Sequence, residues 1–97
     1  MDENKNARVH LWVRGRVQGV GFRAFVASSA AQLGINGWVR NVAWDTVETL
    51  AEGPRESLDA FIEQMKSGPR ASRVEDCRVE EEIFSGEFSH FDIRSSR

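Results

Sequence analysis

The chain has 97 residues, 40% hydrophobic and 29% charged, which suits one small globular domain and excludes a disordered or fibrous chain. No apolar run approaches the ~20 residues that cross a membrane, and Met1-Asp2-Glu3-Asn4-Lys5 leads into no signal-peptide core, so a cytoplasmic location without a membrane partner is expected. The formal net charge of −2 hides a split: residues 4–44 carry Lys5, Arg8, Arg14, Arg16, Arg23 and Arg40 with no acidic side chain, whereas residues 48–97 carry seven basic and twelve acidic ones. Such segregation favours a small anionic ligand near the first half, and the acidic total argues against nucleic acid as partner.

Residues 1–6 are expected to be a flexible N-terminus of a single domain spanning 1–97. The first regular element is an alternating run, with Val9, Leu11 and Val13 on one face and His10, Trp12 and Arg14 on the other, the pattern of a half-buried strand. A glycine-rich stretch, Gly15 to Arg23, follows. Phe22, Phe25, Val26, Ala30 and Leu33 then recur at helical intervals, and Gly34 is placed to end that helix as a C′ residue.

Asn36-Gly37 leads through a turn into a strand reaching Val42, and Thr46 to Ala51 reads as another. The gap Ala43-Trp44-Asp45 is short enough only for a hairpin, so these strands are expected to be antiparallel neighbours. Trp44 at the tip is expected to fold back onto the sheet. Pro54 is expected in the first helical position of a second helix, where Leu58, Phe61, Ile62 and Met65 form one apolar face before Gly68-Pro69.

Ser72 to Phe84 reads as a longer strand with one irregularity near its start. Alternation there sends Glu81 to the face opposite Glu80 and Glu82, so the triplet is a solvated strand and not a carboxylate pair. Cys77, within it, reads as a small buried hydrophobe; as the only cysteine it excludes an internal disulfide. With only His10 and His90 besides, both read as sheet-face residues, no metal site is expected. Ser85-Gly86 turns the chain and Phe91 to Ile93 closes it as a short strand.

The order is β-α-β-β-α-β with a brief terminal strand. Crossover rules make this the split βαβ, or ferredoxin-like, α+β sandwich: two helices covering one face of an antiparallel sheet, with a short extra C-terminal strand. That topology alone says little about activity.

The loop between the first strand and the first helix has two readings. A helix N-terminus offers unpaired N–H groups and the positive end of its dipole, a seat for an anion. Gly19 and Gly21 can take positive φ and let successive N–H groups converge, and Arg23 could grip two phosphate oxygens at once. Equally, the glycines make only a tight turn and Arg23 is a solvated surface residue. Spacing alone does not decide between them.

The run Gly15 to Arg23 resembles the signature of the acylphosphatases: glycine, any residue, Val-Gln-Gly-Val, any residue, Phe-Arg. Gly37-Trp38-Val39-Arg40-Asn41 is similar to the second block of that family. Thr46-Val47-Glu48, Ala51-Glu52-Gly53-Pro54 and Phe91-Asp92-Ile93-Arg94 continue the likeness, from about Arg8 to Arg94.

This resemblance implies hydrolysis of a carboxyl-phosphate anhydride, a small-molecule acyl phosphate, to a carboxylate and inorganic phosphate. It implies that Arg23 binds the phosphoryl group, with backbone N–H groups of Arg16, Val17, Gln18, Gly19, Val20, Gly21 and Phe22 around it, and that Asn41 positions the attacking water. It implies no metal and no organic cofactor. A monomer is expected, though the sequence does not fix the oligomeric state.

Family members commonly carry Asp-Gly in the hairpin after the asparagine, where this chain has Trp44-Asp45. That puts a positive φ on Asp45, which tolerates it better than most residues, and leaves the placement of Asn41 open. Two other readings compete. Gly21-Phe22-Arg23-Ala24-Phe25-Val26 has a passing likeness to the RNP1 strand of RRM-type RNA binders, but its aromatics fall at helical and not alternating intervals. Acylphosphatase-like domains also occur within larger maturation enzymes, as carbamoyl-phosphate-processing or interaction modules; ending at Arg97 favours a free-standing enzyme.

Overall fold

The structure, a computed structural model, describes residues 5–97. Of the expected flexible N-terminus 1–6, residues 1–4 lie outside that range, and Asn6 already pairs with Pro54 as the first residue of a strand. The elements are β1 (Asn6–Arg16), α1 (Phe22–Leu33), β2 (Asn36–Val42), β3 (Thr46–Pro54), α2 (Arg55–Ser67), β4 (Arg73–Glu82) and β5 (Phe91–Ile93). They form one sheet of order β4-β1-β3-β2-β5 with both helices on one face.

Alternation in β1 works as the sequence implies: Val9, Leu11 and Val13 are fully buried. They meet Val39 of β2, Val47 and Ala51 of β3, Val26 and Ala30 of α1, and Leu58, Phe61 and Met65 of α2 in one core. Each Val, Leu, Phe or Met side chain among them contributes roughly 1.5–3 kcal/mol relative to exposure. Gly34 ends α1 in the left-handed region at φ 70°, and Ile35 N–H closes the cap on Ala30 O at 2.9 Å.

Pro54 does not take the first helical position. It closes β3 and caps α2 with extended φ −60°, ψ 142°, so the helix starts at Arg55. The proline's fixed φ suits both the strand's last residue and the cap.

The four strands β1 to β4 pair antiparallel, but β5 runs parallel to β2, with Val39 opposite Ile93, so the sheet is mixed. Geometry explains the departure from a purely antiparallel sheet. The chain leaves β4 at the end where Glu82 faces Arg8, then crosses that end of the sheet, tied to buried Glu52 by the N–H groups of Ser85 and Gly86 and to Asn36 by the carbonyl of Phe88. It therefore reaches the far edge where β2 begins and must run in the same direction.

The irregularity in the long strand is real: Arg14 faces Asp76 but Gly15 faces Val74, leaving Glu75 unpaired as a bulge. Gly15 makes that possible, because a Cβ there would run into the carbonyl oxygen of Arg73. Glu81 and Glu82 do point to opposite faces, the first to Arg55 of α2, the second to Arg8 and His10 on the open face. His10 lies on that open face, stacked on Trp12 with ring centroids 3.9 Å apart.

The β2–β3 hairpin differs from expectation twice. Its positive φ, 55°, falls on Ala43 and not on Asp45. Trp44 is 81% exposed and does not fold back. Val42 already pairs with Thr46, so Trp44 stands at the middle of a three-residue tip, where its indole borders the cavity beside Arg16 and Gln18 without covering the sheet.

Candidate active site

Between β1 and α1 the chain turns on two glycines in the left-handed region, Gly19 at φ 75° and Gly21 at φ 77°. A Cβ at either would meet nothing within 4 Å, so these positions need glycine for its φ and not for space. Gly21 is the N-cap of α1, and the first helical hydrogen bond runs from Phe25 N–H to Gly21 O at 3.0 Å. The N–H groups of Phe22, Arg23 and Ala24 are thereby left without intrahelical acceptors. No acidic residue in the first turn offsets the dipole's positive end.

A cavity of about 280 Å³ opens in front of these groups. Six of the anticipated residues line it: Val17, Gly19, Gly21, Phe22, Arg23 and Asn41, with Ala24 and Ile93 completing the wall. Arg16 and Gln18 instead border a neighbouring cavity of about 310 Å³ beside Trp44. Val20 packs against the core.

The side chain of Gln18 has a different task from the one its neighbours share. Its Nε2 donates to the carbonyls of Val42, Ala43 and Thr46 at 3.2, 3.2 and 2.9 Å, stapling the loop to the hairpin that follows Asn41.

Arg23 is half-buried; its Nη1 reaches the carbonyl of Arg94 at 3.5 Å, and among the described residues it has no carboxylate partner. Its charge is therefore free for an anion in the cavity. Asn41 lies on β2 in the row that also carries Gly37 and Val39, facing the helices, at the end where the core runs out. It is 9% exposed, and its Oδ1 is buried without a hydrogen-bond partner among the described residues. A buried, unpaired amide oxygen is costly and calls for a functional account. The main chain of Asn41 is held on both sides, by Val47 of β3 and by Arg97 N–H, which donates to its carbonyl at 2.8 Å.

Other chemistry-bearing groups lie elsewhere. Arg40 alternates to the open face, where its Nε donates to Glu48 Oε1 at 2.7 Å and its guanidinium covers Trp38. Cys77 packs against the core, and burial pushes its thiol up, as suits an inert residue. Among the described residues no three His, Cys, Asp or Glu side chains gather as metal ligands. Phe22 and Phe25 sit on α1, ring centroids 5.9 Å apart, so the Gly21 to Val26 run offers no stacking platform on a sheet.

Ala24 and Ile93 were not singled out by sequence reasoning. Ala24 follows from the helix start, as the third residue of the first turn. Ile93 follows from strand alternation with Phe91 once the place of β5 is known.

The acylphosphatase family model matches residues 9–93. The chain is 44% identical over 90 residues to the acylphosphatase of Syntrophotalea carbinolica, covering 93% of this chain and 98% of that one. It is 54% identical over 81 residues to the acylphosphatase of Koribacter versatilis, covering 84% and 73%. The crystal structure of acylphosphatase from Bacillus subtilis superposes with a TM-score of 0.87 at 41% identity, over 91% of this chain and 98% of that one. Because the matched range spans the glycine loop, the hairpin and β5, the chain belongs to the acylphosphatase family, enzymes that hydrolyse the carboxyl-phosphate bond of acyl phosphates.

Proposed function

We propose that the phosphoryl group of an acyl phosphate sits in the cavity under the start of α1, held by backbone N–H groups of the Arg16 to Phe22 loop and by the guanidinium of Arg23, while Asn41 aims the attacking water. Asn41 carries this reading: among the described residues its Oδ1 is a buried acceptor without a donor, and the residue lines the same cavity as the start of α1 and Arg23, whose guanidinium has no carboxylate partner among them. An amide carbonyl suits the task because it accepts one water proton and leaves a lone pair directed at phosphorus.

The water oxygen bonds to phosphorus as the bond to the acyl oxygen breaks, the electron pair leaves with the carboxylate, and one water proton passes to a phosphoryl oxygen, so that the products are the carboxylate and protonated inorganic phosphate. That leaving group is a weak base and needs no general acid. What the site must supply is alignment and charge for the equatorial oxygens, which a fixed cradle and one guanidinium provide. Arg16 and Gln18 enter through main-chain N–H groups, since their side chains border the neighbouring cavity. No metal or organic cofactor has a step in this scheme, and the enzyme works as a cytoplasmic monomer with no nucleic acid or membrane partner.

Acyl phosphate hydrolysis followed with and without EDTA tests turnover and metal independence together. A crystal grown or soaked in sulfate should hold the anion between Gly19, Gly21 and Arg23. Density for sulfate elsewhere, with none in that cradle, would remove the proposal.

A further inference from the structure

We propose that Ile93 is the acyl-side wall of the site and selects substrates whose acyl group is apolar, aromatic or branched, over small polar ones such as a carbamoyl group. The inference rests on the phosphoryl placement above. Large apolar side chains exposed among the described residues are Trp44, Ile83 and Ile93, and Ile93 alone of these lines the cavity that also holds Arg23 and Asn41.

Its exposure has a structural cause. Phe91 projects from the helix-covered face of β5 and meets Phe61 of α2, ring centroids 6.3 Å apart. Alternation returns Ile93 to that same face one step further along, past the cover of the helices, where it is 51% exposed. The position is also fixed. Ile93 pairs with Val39 of β2, and the next residue's N–H, that of Arg94, donates to Val39 O at 2.8 Å. The carbonyl of Arg94 in turn receives Arg23 Nη1, so this apolar side chain stands one residue from the group that contacts the phosphate-binding guanidinium.

A cavity of about 280 Å³ is far larger than a phosphoryl group, and beyond the phosphate cradle and Asn41 its remaining wall is made by Ala24 and Ile93. Arg23 is the one charged side chain on it and is committed to phosphate, and Asn41, the one polar neutral side chain, is committed to the water, so a polar or charged acyl group would lose water without gaining a partner. An apolar acyl group gains contact.

The test compares kcat/KM for benzoyl phosphate and carbamoyl phosphate, with competitive inhibition by inorganic phosphate, in the wild type, Ile93→Ala and Ile93→Leu. Ile93→Ala should lower kcat/KM for benzoyl phosphate about tenfold, the low end for lost apolar contact of this size, and change carbamoyl phosphate less than about twofold. Ile93→Leu should restore the wild-type ratio, and phosphate inhibition should be unchanged throughout. A ratio of the two substrates that is the same in the wild type and Ile93→Ala would overturn the role of Ile93 while leaving the phosphate site intact. A wild type that is not inhibited by phosphate would instead bring down the placement on which the role depends.

Discussion

The amide nitrogen of Gln18 lies 2.9 Å from the carbonyl oxygen of Thr46, so a side chain of the glycine loop holds the first residue of β3 across the hairpin. With its further contacts to Val42 and Ala43 it couples the two halves of the site, the cradle and the strand bearing Asn41. Replacing Gln18 by Ala removes the amide donor shared by three carbonyls, two of them partly buried. A loss of about 1 kcal/mol in stability is expected, with kcat lowered roughly tenfold through misalignment. Chemical denaturation and steady-state kinetics on Gln18→Ala check both, and wild-type kcat would show that the staple does not position Asn41.

Among the described residues Arg23 has no carboxylate to neutralise it, so its removal should cost function and not stability. Arg23→Ala is expected to lower kcat/KM by at least ~10²–10³ and to abolish competitive inhibition by phosphate. Arg23→Lys should recover little, because an ammonium is a point donor and cannot hold two oxygens in a planar fork. Full phosphate inhibition in the lysine variant would remove the two-pronged contact from the mechanism.

Asn41 should behave in the opposite way. Its buried Oδ1 has no hydrogen-bond partner among the described residues, a cost that a smaller apolar side chain does not carry. Asn41→Ala is therefore expected to leave thermal stability unchanged or to raise Tm by a degree or two, while kcat falls about 10²-fold and phosphate inhibition persists. A variant that unfolds early would show the amide to be a structural strand-end residue; one that keeps kcat would show that it does not aim the water.

Glu48 gives the acid limb of stability. Burial pushes its carboxyl up, but the hydrogen bonds from Arg40 and His10 outweigh that and hold it below the ordinary value of 4.5. A carboxylate depressed in the folded state binds protons more readily when unfolded, so its stabilising contribution is present above the unfolded pKa and is lost as pH falls through the folded one. Tm should thus decline below about pH 4.5, and less steeply in Glu48→Gln. Turnover should differ: no titrating side chain is assigned to the chemical step, so kcat should stay nearly flat between about pH 5 and 8. A histidine-like limb in that window would contradict the mechanism.

The local patterns were legible in the chain because their causes are local. Val9, Leu11 and Val13 declare a strand by alternation alone, and Gly34 declares a helix end through its own φ. The direction of β5 was not legible, since it depends on Glu52 and Asn36 guiding residues 83–90 across the sheet, contacts made between distant parts of the chain. The exposure of Trp44 was not legible, because side-chain chemistry favours burial while the three-residue hairpin places the indole at its tip, in the open. For the site, periodicity located the loop, but the pairing of Arg23 with Asn41 came from family resemblance: nothing in the spacing of an α1 residue and a β2 residue says that they share a cavity.

Two glycines near the loop should separate backbone conformation from space. At Gly21, φ is 77° and a Cβ would meet nothing, so Gly21→Ala meets only the left-handed backbone penalty, about 1–2 kcal/mol. The protein should fold, but relief of that strain would turn the Phe22 and Arg23 N–H groups away from the anion and weaken phosphate inhibition at least tenfold. At Gly15, by contrast, φ is 142° and an added Cβ would overlap the Arg73 carbonyl, so Gly15→Ala must break the bulge or the β1–β4 pairing. Its loss should fall first on stability, with a Tm drop well beyond that of Gly21→Ala. If the two variants lost stability equally and both retained phosphate inhibition, the loop glycines would be serving the turn alone, and the anion would owe nothing to the direction of their neighbouring N–H groups.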